Sequence, residues 1–242
     1  MLSKKEIKDI QSLGLKKHRD ETGLFVAEGP KIVSELLQLV PSHVQMVYAL
    51  EDWMEEAIVF LDASKLTTVS EAELERISQL QTPNKTVAVL KQFTPAEPQS
   101  SSFSLYLDAI QDPGNFGTII RIADWFGIKN VVCSAGCADL YNAKVVQSTM
   151  ASIARVNVFY DEQHQWLEKQ RATIYAATLN GKSLYDFEKT TTGILLIGNE
   201  SRGLRQDVIE MATDRITIPR KGSAESLNAA VATGIILSHL VG

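Results

Sequence analysis

The sequence predicts an α/β protein with a small N-terminal α/β domain and a larger C-terminal α/β domain built on a parallel sheet. Its 242 residues exceed the roughly 150 that one domain typically holds. Short apolar runs alternate with stretches of helical composition, which is typical of α/β folds. A segment rich in proline and serine, residues 94–102, separates two such runs. We therefore predict domains at residues 1–93 and 104–242, joined by a linker at 94–103.

Composition and charge exclude several classes of protein. Hydrophobic residues make up 45% of the chain and charged residues 22%, which is the usage of a globular protein. The 24 basic and 29 acidic residues give a net charge of −5. No positive field covers the whole molecule, so any contact with RNA must be local.

The N-terminus lacks the apolar region of a secretory signal, and no apolar stretch approaches 18 residues. We therefore expect a soluble, cytoplasmic protein without a membrane partner. Cys133 and Cys137 form a single CxxxC without a nearby histidine pair. This spacing fits neither a disulfide framework nor a zinc site, so we interpret both as free thiols and expect no metal.

Capping residues mark the helices of the N-terminal domain. Ser3 precedes one predicted helix, Ser70 and Glu73 form a capping box before another, and Pro30 occupies the first turn of a third. The apolar runs LFVAEG and TVAVL are predicted strands.

The C-terminal domain contains a regular series of strand candidates separated by helical stretches: SLYLDAI, NVVCS, RVNVFY, TIYAAT, GILLIG and RITIP. This βαβ order favours a parallel sheet. TIYAAT and GILLIG are continuously apolar, which predicts strands buried on both faces. Ligands bind at the carboxyl ends of such strands, so function is sought in the loops that follow them.

The first of three such loops, DPGNFGTIIR, leads into a helix that we expect to begin near Asn115 as its N-cap. Arg121 lies six positions later, about 1.7 turns, so its guanidinium must reach back to join Asn115. The alternative is that Asn115 only caps the helix and that Arg121 is a surface arginine.

The second loop, IGNESRGL, begins with Gly198, Asn199 and Glu200 directly after a buried strand. Glycine permits close approach of the backbone to a ligand, and a carboxylate at a strand end orients a cation. The alternative is an ordinary turn.

The third loop, IPRKGSAESLN, places Ser226 and Asn228 at the start of a helix, where free N–H groups hold ligands. The alternative there is an amphipathic helix capped by serine.

Several enzyme motifs are absent from the sequence. It contains no G-x-G-x-x-G after the first C-terminal strand, no G-x-x-x-x-G-K-[ST] and no G-x-S-x-G. Nicotinamide, P-loop and serine-hydrolase interpretations therefore lose their main support.

Taken together, the three loops resemble the motifs of the SpoU-type RNA 2′-O-ribose methyltransferases of the SPOUT superfamily. Arg121 resembles the arginine of the first motif, with Asn115 as its partner, and Glu200 stands in the acidic position of the second. Ser226, Leu227 and Asn228 match the third motif. The resemblance covers residues from about 104 to 242.

This resemblance implies a trefoil knot, S-adenosyl-L-methionine as cofactor and a homodimer that completes the site. It places the cofactor against six residues: Thr178, Leu179, Gly198, Asn199, Ile218 and Leu227. The N-terminal segment is similar to the substrate-binding domain fused to this family, whose fold is L30e-like. Its first 20 residues carry six Lys or Arg against three acids, and we expect RNA contacts from Lys16, Lys17 and Arg19. The alternative is a solvated helix face.

A ribose 2′-hydroxyl is a poor nucleophile at neutral pH, and the family assigns its activation to the arginine. Because guanidinium stays protonated, we interpret Arg121 as holding the target phosphate or the developing alkoxide, oriented by Asn115 and Glu200. The N-terminal domain favours ribosomal RNA over transfer RNA. Two alternatives stay open: a catalytically silent RNA-binding or ribosome-assembly protein, and a SPOUT base methyltransferase.

Overall fold

The computed structural model describes residues 1–99 and 102–242, and Ser100 and Ser101 of the predicted linker lie outside the described residues. The helices of the described chain are α1 (Lys4–Ser12), α2 (Lys16–Thr22), α3 (Pro30–Leu39), α4 (Glu51–Ile58), α5 (Glu71–Ile77), α6 (Pro113–Trp125), α7 (Ala143–Thr149), α8 (Gln165–Glu168), α9 (Gln206–Glu210) and α10 (Ala229–Leu240). The strands are β1 (Leu24–Glu28), β2 (Val44–Ala49), β3 (Leu66–Thr68), β4 (Thr86–Lys91), β5 (Ser104–Asp108), β6 (Asn130–Ser134), β7 (Asn157–Asp161), β8 (Ile174–Ser183), β9 (Ile194–Gly198) and β10 (Asp214–Thr217). Short 3₁₀ helices cover Pro41–His43, Ala63–Lys65, Ser152–Ala154 and Leu184–Asp186.

The chain divides into two compact units. The first contains Met1–Thr94 together with Asp139–Ala154, and the second contains Pro95–Ala138 and Arg155–Gly242. The prediction from sequence assigned residues 139–154 to the C-terminal domain because it followed the order of the chain.

The first unit is built on a four-stranded sheet in the order β1-β4-β2-β3, antiparallel except between β2 and β3. The predicted caps are confirmed, since Ser3 with Glu6 and Ser70 with Glu73 form complete capping boxes. The elements β2, β3 and α4 were not predicted from the sequence. The strand β3 has only three residues, all at least partly exposed, so it has no apolar signature.

Three contacts hold residues 139–154 within the first unit. Asp139 forms an ion pair with Arg19, which is only 3% exposed. The ring of Tyr141 lies 4.8 Å from that of Phe25, centroid to centroid. Its hydroxyl accepts from the backbone N–H of Phe93 at 2.7 Å, and burial raises the pKa of Tyr141 to about 12. The segment is thus part of this unit's core.

The second unit is built on a six-stranded sheet in the order β10-β8-β9-β5-β6-β7, and every neighbouring pair is parallel. The predicted parallel sheet is confirmed. GILLIG forms the buried strand β9, as expected. The expectation for TIYAAT was wrong, because β8 lies next to the edge strand β10 and is buried only at alternate positions. Cys133 and Cys137 are free thiols.

Candidate active site

A cavity of about 730 Å³ opens in the second unit, beside the carboxyl ends of β9 and β10. This volume is in the range of small-molecule sites. Its walls include all six residues predicted to bind the cofactor: Thr178, Leu179, Gly198, Asn199, Ile218 and Leu227. Glu200 and Ser226 also line it. Other apolar residues of the lining were not predicted from the sequence, among them Ala177, Ile197, Ile216 and Ile236. These side chains carry no polar signature that a motif search would find.

A bulge in β8 supplies one wall of this cavity. Consecutive residues of β10 pair with Ala176 and Lys182, so the intervening residues 177–181 leave the ladder. The bulge depends on Gly181, because a Cβ there would lie 2.4 Å from the carbonyl oxygen of Arg215. Two of the predicted cofactor residues lie in this bulge and line the cavity.

The cavity lining has the chemistry that a cofactor with an apolar ring system and polar substituents requires. The hydroxyl oxygen of Thr178 is buried without a hydrogen-bond partner among the described residues. The side chains of Leu179 and Leu227 are 66% and 47% exposed. A buried polar atom without a partner is costly, and so is a large apolar side chain in water, so a ligand that covers all three is favoured.

The two residues at the start of the second loop also have structural roles within the protein. A Cβ on Gly198 would lie 2.2 Å from the backbone nitrogen of Leu204, so the glycine permits the loop to fold back on itself. Asn199 uses its side chain within the protein: Nδ2 donates to the carbonyl oxygen of Ala109 at 2.8 Å, and Oδ1 accepts from the N–H groups of Ser201 and Arg202. Both residues shape the cavity wall.

Asn115 joins the first loop to the second. The helix α6 begins at Pro113, and its N-cap is Asp112, whose carboxylate accepts from the backbone N–H of Asn115 at 2.7 Å. The expectation that Asn115 is the N-cap was therefore wrong. Since the cap is supplied three residues earlier, the amide of Asn115 is free to donate to Glu200 Oε1 at 2.7 Å across 85 residues of sequence.

Asn228 joins the third loop to the first. Its Oδ1 caps α10 by accepting from the N–H groups of Ala230 and Val231, so the alternative of a serine cap was wrong. Its Nδ2 donates to Asn115 Oδ1 at 2.8 Å. The three predicted polar residues Asn228, Asn115 and Glu200 thus form one hydrogen-bonded chain.

Arg121 does not join this network. It is exposed on α6 and forms no hydrogen bond or ion pair with any residue in 1–99 or 102–242. The expectation that it reaches back to Asn115 was wrong: the Asn115 amide bonds to Glu200 and Asn228 instead. The guanidinium is left available for a group from outside the unit.

The basic segment of the N-terminal unit is paired internally. Arg19 is buried, and its guanidinium donates to Asp139 and to the carbonyl oxygen of Leu13. It is therefore wrongly placed for the expected RNA contact. Lys16 and Lys17 are exposed, and each forms an ion pair one helical turn away, with Asp20 at 2.7 Å and Glu21 at 3.9 Å.

Comparison with known proteins decides the family. Residues 102–238 match the sequence profile of the SpoU rRNA Methylase family, which is more than half of the chain. The chain belongs to the SpoU rRNA methylase family. Residues 4–88 match an MRM3-like substrate-binding domain. Both matches confirm the assignment made from the three loops and the N-terminal segment.

Relatives and solved structures cover nearly the whole chain. The 23S rRNA (guanosine(2553)-2′-O)-methyltransferase RlmP of Bacillus subtilis is 29% identical, over 98% of this chain and 96% of its own length. An AdoMet-bound rRNA methyltransferase from Sinorhizobium meliloti is 30% identical with a TM-score of 0.83, covering 98% of this chain and 94% of that chain. A protein assigned to the TrmH family of RNA methyltransferases, from Porphyromonas gingivalis, is 38% identical with a TM-score of 0.88, covering 98% and 97%.

The described residues contain neither a candidate metal cluster nor a candidate membrane-spanning helix. In 1–99 and 102–242, no three His, Cys, Asp or Glu side chains are grouped so as to hold a metal ion. Within the same residues, no helix has both the length and the apolar character that crossing a membrane requires.

Proposed function

We propose that this SpoU protein transfers a methyl group from S-adenosyl-L-methionine to a ribose 2′-hydroxyl in ribosomal RNA. The observation that carries the proposal is the chain of hydrogen bonds from Asn228 through Asn115 to Glu200, which brings three distant segments together. Glu200 also lines the cavity. The relative RlmP is named for 2′-O-methylation of 23S rRNA, which favours a ribosomal substrate.

The cavity between the β8 bulge and the second and third loops would hold the cofactor. When bound, it supplies an electrophilic methyl group. The apolar side chains Leu179, Ile218 and Leu227 would hold its ring system, and the hydroxyl of Thr178 would be available to one of its polar groups. The backbone of Gly198 and Asn199 forms the adjacent wall.

Arg121 holds the target phosphate or the alkoxide that develops on the ribose. A guanidinium is a fixed fork of donors that matches a phosphate, and it remains protonated at neutral pH. Because Arg121 has no partner in the described parts of the chain, binding costs no existing ion pair. The proton of the 2′-hydroxyl passes to water or to a phosphate oxygen. Positioning is then the main catalytic contribution, with Ser226 and Asn228 shaping the loop beside the cofactor.

RNA affinity comes from both units. The match to a substrate-binding domain supports an RNA-binding role for residues 1–93, with Lys16 and Lys17 as phosphate contacts once their local ion pairs open. In the second unit, Arg202 and Lys221 are exposed at the cavity and are positively charged, as Lys16 and Lys17 are. Phosphate contacts of this kind position RNA without reading its sequence.

A second copy of the chain covers exposed apolar side chains of α6 and α10. Trp125 is 85% exposed and lies one helical turn from Arg121, while Val231 and Ile235 are exposed on α10. Ala229 and Ala230 at the start of α10 are buried inside the unit and do not contribute to this surface. Two-fold dimers are the commonest soluble oligomers. Sedimentation equilibrium should give a dimer that Trp125→Glu dissociates; an active wild-type species of 26.7 kDa at micromolar concentration would overturn the proposal.

Family membership supports two further proposals: the trefoil-knotted path of the C-terminal segment that the resemblance implies, and a cytoplasmic location beside the ribosomal substrate.

The decisive experiment uses labelled S-adenosyl-L-methionine with ribosomal RNA from cells that lack the protein. Transfer that disappears when the target nucleotide is 2′-deoxy supports ribose methylation. Transfer that persists indicates a base methyltransferase instead. Calorimetry with the cofactor alone tests the silent alternative, since a protein that binds none at millimolar concentration is not this enzyme.

A further inference from the structure

Two adjacent residues at the end of the central strand β5 fasten both ends of the Glu200 loop, residues 199–205. At its start, the side-chain amide of Asn199 donates to the carbonyl oxygen of Ala109 at 2.8 Å. At its end, the carboxylate of Asp108 accepts from the backbone N–H of Arg205 at 2.9 Å and from its Nε at 3.0 Å. The loop that carries Glu200 is therefore attached at both ends to one point of the sheet.

The attachment at Arg205 is a charged pair with one partner completely buried. The side chain of Asp108 has no exposed surface, whereas that of Arg205 is 47% exposed. A buried carboxylate is costly unless a cation and hydrogen bonds compensate it, and Arg205 supplies both. Asp108 also lies opposite Gly198 in the ladder between β5 and β9, next to the first residue of the loop.

A second interaction fixes the direction of the Arg205 guanidinium. Its Nη2 contacts the ring nitrogen Nε2 of His164, and the other ring nitrogen contacts the hydroxyl of Tyr106. Burial, reinforced by the charges of Asp161 and Asp108, raises the pKa of Tyr106, so the hydroxyl stays protonated. The guanidinium is held from two sides.

We propose that Asp108 and Arg205 are positioning residues that hold the Glu200 loop against the cofactor cavity. Neither residue has a part in the methyl transfer proposed above, on which this inference rests. Glu200 stands one residue after the first attachment and five before the second. Without the Arg205 side chain, only the backbone N–H of residue 205 fastens this end of the loop to Asp108, so Glu200 and the cavity wall have more freedom to shift. Misplacement by about 1 Å lowers a rate by roughly 100-fold.

The test uses the full-length protein with Arg205→Gln, since that side chain is half-exposed and its loss leaves the backbone N–H to Asp108 in place. We expect the single-turnover rate to fall by about 100-fold. We also expect weaker cofactor binding with an unchanged KM for RNA. Amide hydrogen exchange should become faster in residues 199–204 but not in β9. Arg205→Lys, which keeps the charge without the fork, should recover part of the rate.

Arg171→Gln is the matched control, because Arg171 is exposed and does not line the cavity. A purely structural role would lower the melting temperature of Arg205→Gln while the folded protein keeps its rate, and that result overturns the inference. Unchanged exchange in the loop overturns it too, and this measurement needs no activity. If wild-type protein neither binds the cofactor nor transfers methyl groups, the proposed function fails, and the exchange comparison still decides whether the loop is fastened by Arg205.

Discussion

The polar network of the second unit and the basic segment on α2 both stand out in the sequence, but they differ in how their residues are paired. Asn228, Asn115 and Glu200 are far apart in sequence and meet only because the fold brings them together. Lys16 and Lys17 pair with acids four positions away on the same helix. Charged residues four positions apart can pair within a single helix, without any tertiary structure. Residues far apart in sequence meet only when the whole unit is folded. Polar residues that are distant in sequence and adjacent in the fold therefore indicate an active site better than charges that cluster along one helix.

The largest effect should come from Arg121, the polar residue that stands apart from both groups. Arg121→Ala should lower the single-turnover rate by 100-fold or more, as removal of one preorganised donor typically does at an active site, roughly 10²- to 10³-fold. Stability should change little, because the side chain is exposed. Arg121→Lys is the informative partner: a near-normal rate would show that a charge suffices and that the fixed fork is not needed.

Glu200 tests whether the network acts through its charge or through its geometry. Glu200→Ala should reduce activity strongly with little change in melting temperature, because polar residues of ligand loops serve function rather than packing. Glu200→Gln keeps the oxygen that accepts from Asn115. If the glutamine variant is as active as wild type, the carboxylate charge has no role. A large drop in melting temperature for the alanine variant would make Glu200 structural.

Asn228 sharpens the comparison because it is both a helix cap and a link in the network. Asn228→Ala should lose activity and also about 1 kcal/mol of unfolding free energy, the usual cost of removing an N-cap. Asn228→Asp keeps the cap but cannot donate to Asn115, so it should retain stability and still lose activity. Chemical denaturation and single-turnover rates measured together separate the two roles. An aspartate variant with full activity would break the link between the network and catalysis.

The smallest effect should come from the basic segment. The double change Lys16→Gln and Lys17→Gln should weaken RNA binding by less than tenfold, because each lysine must give up a local ion pair before it reaches a phosphate. The slope of log affinity against log salt should still fall by about two, one for each phosphate that a lysine no longer neutralises. An unchanged slope would remove these lysines from the RNA interface.

Sequence patterns predicted the parts of the molecule that depend on local order along the chain. The helix start at Ser3, the capping box at Ser70 and the parallel sheet follow from spacing and periodicity, and the structure has them. The six cofactor residues were carried over from a resemblance, and all of them line one cavity.

The features that the sequence did not predict depend on hydrogen-bond and ion-pair partners that only the fold brings together. Asp112 takes the capping role that Asn115 was expected to fill, and this decides what the Asn115 amide is free to bind. From its sequence neighbours, Arg19 looks like a surface cation. Only the fold shows that Asp139, 120 residues later, pairs with it. The anchoring of Arg205 by Asp108 likewise needs two strands of the sheet to be brought together.

The assignment of residues 139–154 to the first unit has a consequence for synthesis of the chain. Residues 1–94 leave the ribosome first, yet the helix α7, with Val145, Val146 and Thr149 buried in it, belongs to the same compact unit. About 60 more residues must be made before that helix is complete, which takes roughly 3 to 12 seconds at 5–20 residues per second. During this interval Arg19 has no Asp139 to pair with, and the nascent N-terminal unit carries an uncovered apolar surface. A chain truncated at the linker would lack residues 139–154, and its first unit would stay incomplete. Point variants are therefore the better way to separate the roles of the two units.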